Sequence, residues 1–547
     1  MLRKLLLPLA LIGSLASPRL ALAIEPDAPE QLVTKAEVIG ILVRQKLSDA
    51  GAANGSAAPA DHEALVTFYA ARNGQPAWVS TTGLLPRATE AMAEIRRADD
   101  WGLRASAFDL PSSSVNGAEP DKLADAEIKL SNAVLKYARH ARGGRFNPSD
   151  LTPDLDVRPQ LQDPGSVMKA IAEAAAPANS LRRLHPKHPQ FERLRQLLIA
   201  ARAGSRPQRV ARAEIPEPAV RGKPRGRKAT RTDQVETEDL APVAGPAEAA
   251  NATKTKAILA NMERWRYMPD ELGRLHIWAS VPDFEVRVVK DGKVIHQERM
   301  VVGKYDTQTS IFSAPMQEIV FQPYWHVPNS IKVQDIAPSL SKNLSILQRQ
   351  NLGIRLNGRD IDPRSIDWSR ADVRKYEFYQ PPGGLNVLGV VKFAFPNKHD
   401  IYMHDTPSKN LFDKEVRDYS HGCMRVRNPR KLAEILLAED KGWGAAQIAH
   451  QIAVGNDTHV ALNRRIPVHV TYFTVWVDDD GKARYRDDLY GHDVRMIAAL
   501  DGKPARAIAK DEMASLAARA AAKRPRAAER QPQQSAGGDA FFGWLMN

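Results

Sequence analysis

The chain contains a single cysteine, Cys423, in the run Ser420-His421-Gly422-Cys423-Met424-Arg425. A lone thiol makes no internal disulfide, and in an oxidising compartment it is a liability unless it has work to do. Buried and inert, a cysteine is simply a small hydrophobe. His404, His421, Gly422 and Arg425 are poor material for an apolar pocket and good material for stabilising a thiolate. A nucleophilic thiol also needs a base within hydrogen-bond reach, a group that orients the base, and donors for the oxyanion formed at a carbonyl. His404, followed by Asp405-Thr406-Pro407, is the candidate base. Gly422 permits a sharp turn that would bring the amides of residues 422 to 424 towards a substrate carbonyl. A neighbouring imidazolium or arginine would raise the thiolate fraction at neutral pH. Any histidine and cysteine can be drawn into a dyad, so spacing alone leaves catalysis and coincidence both open. Zinc is a poor alternative for His421-Gly422-Cys423, because no second sulfur and no spaced histidine pair accompany them. No cofactor is expected.

Those residues need elements to hold them. His404 ends a predicted strand, Ile401-Tyr402-Met403, and Cys423 lies just before a predicted helix over Arg430 to Ala438. Two such ends can meet across a sheet edge. Alternation predicts further strands at Phe284 to Val289, Met300-Val301-Val302, Ile319-Val320-Phe321, Val390 to Phe393 and Val468 to Val477. Lys290-Asp291-Gly292-Lys293 reads as a hairpin turn before Val294-Ile295. A short helix is expected over Ile258 to Trp265. The region before residue 200 changes period. Ala64 to Tyr69 and Leu130 to Ala141 carry apolar residues at helical spacing, and Gly143-Gly144 stops the second run. The fold class expected is therefore α+β and multidomain, a mostly helical front followed by a β-rich catalytic domain.

The 547 residues allow several domains, since one typically holds about 100–200 residues. At 43% hydrophobic the chain can bury a proper core. Residues 1–23 read as a signal peptide: Arg3 and Lys4, an apolar run from Leu5 to Leu15, then Ala21-Leu22-Ala23. An uncleaved anchor fits less well because Pro18 and Arg19 interrupt the apolar run. Export to the periplasm, with no transmembrane segment after cleavage, changes the meaning of the net charge of +13. Nucleic acid is not the expected partner; cell wall and anionic lipid are the polyanions at hand. Alternatively the charge sits idle in low-complexity stretches, of which Arg202 to Arg231 and Lys523 to Arg530 are both basic. The expected organisation is a helical domain over 24–202, a low-complexity linker over 203–252, a catalytic domain over 253–493, and a basic tail over 494–547. The tail ends in the apolar cluster Phe541-Phe542-Gly543-Trp544-Leu545-Met546, which would dock or fray.

The stretch from Tyr402-Met403-His404-Asp405-Thr406-Pro407 to Ser420-His421-Gly422-Cys423-Met424-Arg425-Val426 resembles the active-site signature of the YkuD-type L,D-transpeptidases, cysteine enzymes of peptidoglycan. Asn261 to Arg266, Val301-Val302-Gly303-Lys304, Gln308-Thr309, Pro323 to Pro328, Asn386-Val387-Leu388-Gly389 and Lys392-Phe393 resemble the large, YcbB-like branch of that family. Phe68-Tyr69 and Gly74-Gln75-Pro76-Ala77-Trp78 resemble its scaffold domain. The resemblance covers about 50–200 and 253–493. It implies a tetrapeptide stem donor, attack by Cys423 on the diaminopimelate carbonyl, loss of D-alanine, and a thioester resolved by a second stem as a 3→3 cross-link. It implies His404 as base and later acid, oriented by a backbone carbonyl, with Asp405 a turn residue. It also implies acylation of Cys423 by carbapenems. Gly422 would supply oxyanion backbone, while Arg425 would hold a substrate carboxylate or form a structural salt bridge. Ser420, His421, Tyr402 and Trp325 would lie at the substrate cleft. A capping insert over about 336–383, including Pro381-Pro382-Gly383-Gly384, would exclude water. The acceptor stays open: a stem amine, water, or the amine of an envelope protein. So does a non-catalytic wall-binding scaffold. The small wall-binding module usual in large members has no counterpart in the sequence, and the 203–250 insert lies where it would be.

Overall fold

The computed structural model describes residues 33–52, 58–204 and 246–503. The expected signal peptide, most of the linker and most of the tail lie outside the described residues.

The helical front is built on proline-initiated helices. Pro59–Ala71, Pro86–Arg96, Pro120–Gly143, Pro164–Ala172 and Pro177–Arg182 each open on a residue whose missing N–H would be unsatisfied there anyway. Pro120–Gly143 is the central element, and Gly144 caps it at φ +79°. Its Leu123, Leu130, Val134, Tyr137 and Ala141 form the core with Ile39, Val43, Tyr69, Trp78 and Ile95. Glu127 lies within that core and accepts hydrogen bonds from the Tyr69 hydroxyl and the amides of Ala77, Trp78 and Val79. One carboxylate thereby fixes the Gly74 to Trp78 turn.

The β-rich part is a nine-stranded mixed sheet: β1 (Leu275–Ser280), β2 (Glu285–Lys290), β3 (Lys293–Gly303), β4 (Phe312–Phe321), β5 (Val391–Ala394), β6 (Met403–His404), β7 (Asp418–Ser420), β8 (Met424–Val426) and β9 (Thr458–Thr471). The order is β7-β3-β8-β6-β5-β4-β9-β1-β2, and a further pairing of β2 with β3 closes most of it on itself. The β2–β3 turn is the expected hairpin, with Asp291 and Gly292 at positive φ and Lys290 opposite Lys293. Inward residues Ile277, Val288, Met300, Ile319, Phe393, Met403, Met424 and Val468 fill the core with Leu432 and Leu436 of the helix Pro429–Lys441.

Four features differ from the sequence expectation. The predicted strand Val468 to Val477 breaks in two: β9 ends at Thr471, and Val475–Val477 turns away to pair with Ala483–Tyr485. The tail does not begin at 494, because the helix His492–Leu500 buries Met496 and Leu500 in the catalytic core. The linker is shorter than 203–252: Pro189–Gly204 and Pro246–Trp265 are helices, the second far longer than expected. The capping insert is larger than 336–383. A separate four-stranded sheet pairs Trp325–His326, Glu377–Gln380, Gly353–Leu356 and Arg359–Asp360. Its own core runs from Trp325 and Val327 to Val387 and Leu388. The strand period is interrupted only over the middle of the lobe, which is why its ends were misplaced.

Candidate active site

Strand register builds the site. β6 and β8 run parallel, with Met403 opposite Met424 and His404 opposite Arg425. β5 runs antiparallel to β6 on its other side, with Lys392 opposite His404 and Phe393 opposite Met403. Side chains alternate between faces. Phe393, Met403 and Met424 therefore enter the core, while Lys392, Tyr402, His404, Cys423 and Arg425 share the opposite face. That face floors a cleft roofed from the capping lobe by Trp325, Pro328, Ser330 and Ile331. Cys423, His404, Tyr402, Arg425, His421 and Ser420 all line it.

His404 is 5% exposed, and its Nδ1 is 2.5 Å from the Asp405 carbonyl oxygen. A carbonyl only accepts, so Nδ1 carries the proton and Nε2 keeps its lone pair. Burial, then the positive charge of Arg425, pushes the His404 pKa down to about 3. The imidazole is therefore neutral at physiological pH. Cys423 is half-buried, and desolvation raises its thiol above the ordinary value although Tyr402, Lys392 and Arg425 act the other way. The resting site holds a thiol, 3.7 Å from the Asp400 carbonyl oxygen, and a neutral imidazole on the same cleft. The imidazolium–thiolate pair allowed by the sequence is not the resting state, because burial disfavours both charged forms.

Asp405 is not aimed at the histidine ring. Its carboxylate accepts from the amides of Thr406 and Val390 and pairs with Lys409 at 2.5 Å. Gly389, at φ +57°, leaves the space it occupies, since a Cβ there would sit 2.3 Å from Asp405 Oδ2. Asp405 thus fixes the loop whose carbonyl orients His404.

The loop before Cys423 is tied from below. Ser420 Oγ donates to the Cys423 carbonyl and accepts from the Gly422 amide at 3.1 Å. Thr309 Oγ1 donates to the Gly422 carbonyl at 2.8 Å and accepts from the Gly303 amide. Tyr490 Oη donates to the Gly303 carbonyl at 2.6 Å and accepts from the Thr309 amide. This corrects one expectation. The Gly422 amide is committed to Ser420 and the Met424 amide to the Tyr402 carbonyl, so neither is free for an oxyanion. The Cys423 amide makes no hydrogen bond among the described residues and is the donor that remains. Ser420 lines the cleft, and its hydroxyl is spent on the loop. Gly422 has φ +109°, and a Cβ there would lie 3.2 Å from the Gln308 carbonyl oxygen. Tyr490 gave no sequence signal, since an isolated tyrosine beyond the last expected strand looks like any other.

Tyr402 lies on the cleft floor with Cys423, facing Trp325 of the roof. His421 Nε2 lies 3.4 Å from Asp335 Oδ2 of the capping lobe. Asp335 sits in a π-helical turn, Lys332–Ile336. Arg425 is 6% exposed and forms no hydrogen bond or ion pair among the described residues, so the structural salt bridge is absent. Among the described residues there is no cluster of ligands suited to a metal ion and no helix long and apolar enough to cross a membrane.

Residues 63–198 match the Scaffold domain family and residues 274–460 the L,D-transpeptidase catalytic domain of the YkuD family. A putative L,D-transpeptidase of Haemophilus influenzae is 30% identical over 242 residues, covering 44% of this chain and 48% of that protein. The chain thus spans about half the length of this relative. Among solved structures, an L,D-transpeptidase from Mycobacterium smegmatis aligns at 12% identity and TM-score 0.17 over 36% of this chain and 58% of that one. The LD transpeptidase LdtMt1 in complex with imipenem aligns at 13% identity and TM-score 0.17 over 36% and 59%. Residues 274–460, which carry both His404 and Cys423, are thus similar to the YkuD-family L,D-transpeptidase catalytic domain.

Proposed function

We propose that this protein is a periplasmic L,D-transpeptidase that forms 3→3 cross-links in peptidoglycan through a thioester on Cys423. The observation that carries the reading is the His404 tautomer. Nδ1–H is fixed on the Asp405 carbonyl, and Nε2 keeps its lone pair on the face that bears the thiol. The scaffold domain and the inserted lobe support a place in the large YcbB-like branch.

His404 Nε2 takes the thiol proton as sulfur attacks the carbonyl at the L-centre of the donor's diaminopimelate. The oxyanion accepts from the Cys423 amide, and Arg425 holds a carboxylate of the donor. The intermediate collapses as the imidazolium returns the proton to the D-alanine nitrogen. The C–N bond breaks and the thioester remains. A diaminopimelate side-chain amine of a second stem then attacks, His404 takes its proton, the C–S bond breaks, and the imidazolium returns that proton to the departing thiolate of Cys423. A neutral histidine suits this cycle because each half begins with proton removal. The lobe over the cleft favours the amine over water as acceptor.

The test is mass spectrometry of muropeptides after incubating the mature protein with tetrapeptide-rich sacculi, beside Cys423→Ala. The expected result is 3→3 dimers that vanish in the variant. Tripeptides without dimers would make water the acceptor, a protein–muropeptide adduct would make it an envelope protein, and no change would overturn the enzymatic reading.

A further inference from the structure

Two cations on the nucleophile's face lack a counter-charge. Other buried arginines have partners: Arg264 pairs with Asp493, Arg266 with Glu263, Arg142 with Asp270, and Arg417 donates to backbone carbonyls. Arg425 has none among the described residues, and its Nη1 is fully buried. An uncompensated buried charge costs several kcal/mol. A site that retains one is built for an anion that arrives from outside.

Lys392 is the second. It stands opposite His404 across β5 and β6 and is half-buried. Its Nζ lies 4.5 Å from the centre of the Tyr402 ring. It too makes no hydrogen bond or ion pair among the described residues. The register places Arg425, His404 and Lys392 in one row over three adjacent strands. Adjacent strands lie about 4.8 Å apart, so the two cations flank the imidazole from bases roughly 10 Å apart.

We propose that this row reads two carboxylates of the donor stem, Arg425 taking that of the departing D-alanine and Lys392 the free carboxylate at the far centre of the diaminopimelate side chain. The inference rests on the donor assigned above. Arg425 is enclosed and lies two residues from Cys423 on one strand, which suits the carboxylate one residue from the scissile carbonyl. Lys392 lies two strands away, half-buried and against the ring of Tyr402, which lines the cleft, and that distance suits a carboxylate separated from that carbonyl by three methylenes. A carboxamide at that far centre removes the charge Lys392 would meet. The protein would therefore discriminate against amidated stems.

The experiment compares two synthetic disaccharide tetrapeptides, one with the free diaminopimelate carboxylate and one with the carboxamide. D-alanine release is measured with the full mature protein, Lys392→Met and Lys392→Arg. We expect the unaltered protein to prefer the free acid about tenfold, equivalent to ~1.4 kcal/mol. Lys392→Met should lose that preference through a slower reaction with the free acid, and Lys392→Arg should keep it. Equal use of both donors by the unaltered protein overturns the inference. So does an equal slowing of both donors in Lys392→Met, which would make the lysine only a support for Tyr402. No D-alanine from either donor would overturn the proposed function and this inference together, which separates the two failures.

Discussion

At the scale of single residues, the site is governed by which charges burial forbids. His404 is held near pKa 3 and the Cys423 thiol above its ordinary value, so neither ionises in the resting protein near neutrality. This sets the site apart from cysteine sites in which an ion pair provides a standing thiolate. Alkylation of Cys423 by iodoacetamide should rise steadily from pH 6 to above pH 8.5, with no reactive plateau in acid. His404→Ala should change alkylation at pH 7 by less than about threefold while abolishing cross-linking. A plateau beginning near pH 4 would contradict this account. Linkage has a definite sign. The histidine binds its proton near 6.5 when unfolded and near 3 when folded, so its contribution to stability is present above pH 6.5 and lost as pH falls towards 3. The proposed nucleophile and base stand out in the sequence because their residue types are rare in that pattern. The proposed oxyanion donor does not. Gly422, Cys423 and Met424 are equivalent in sequence, and only the hydroxyl of Ser420 and the carbonyl of Tyr402 decide which amide is left.

At the scale of elements, the catalytic loop is a short arch whose shape depends on one backbone angle. Gly422 at φ +109° lies outside the region that residues with a Cβ adopt easily, and the Gln308 carbonyl closes the space beside it. Gly422→Ala should cost about 1–3 kcal/mol of folding stability by denaturant titration. Acylation of Cys423 by a carbapenem, followed by intact mass, should slow at least tenfold, because the Cys423 amide and sulfur both move with the arch. Unchanged acylation would show that the arch has slack. The glycine was readable as a turn; its partners were not. Thr309 reaches it from a distant point in the chain and is itself held by Tyr490, and a single sequence carries no record of such contacts. The capping lobe shows in the sequence only as an interruption of the strand period, and its core extends beyond 336–383 at both ends. Trp325 and Leu388 look like strand and loop residues of the main sheet until the second core shows which side they join.

At the scale of the whole molecule, the helical front and the catalytic sheet share surfaces. Leu155 bridges Ile311, and Asp156 pairs with Lys398 and His399, the latter at the edge of the cleft. The helix Pro189–Gly204 belongs to the front in sequence. Yet it packs Phe191, Leu194 and Leu198 on Ile258, Met262, Trp265 and Phe473. Gln190 completes the join, accepting from the Val477 amide and donating to its carbonyl as a neighbouring strand would. Burying three large apolar side chains is worth about 1.5–3 kcal/mol each. That sum is comparable to the whole stability of an ordinary domain, about 5–15 kcal/mol. A chain of residues 246–503 should therefore be several kcal/mol less stable than one of residues 186–503, with Trp265 and Trp278 newly exposed. Urea titration followed by tryptophan fluorescence measures the difference. Equal midpoints would mean that the helix decorates the catalytic domain. A large gap would make it part of that domain's core, and the functional boundary would fall before residue 189, within the segment the sequence assigns to the helical front.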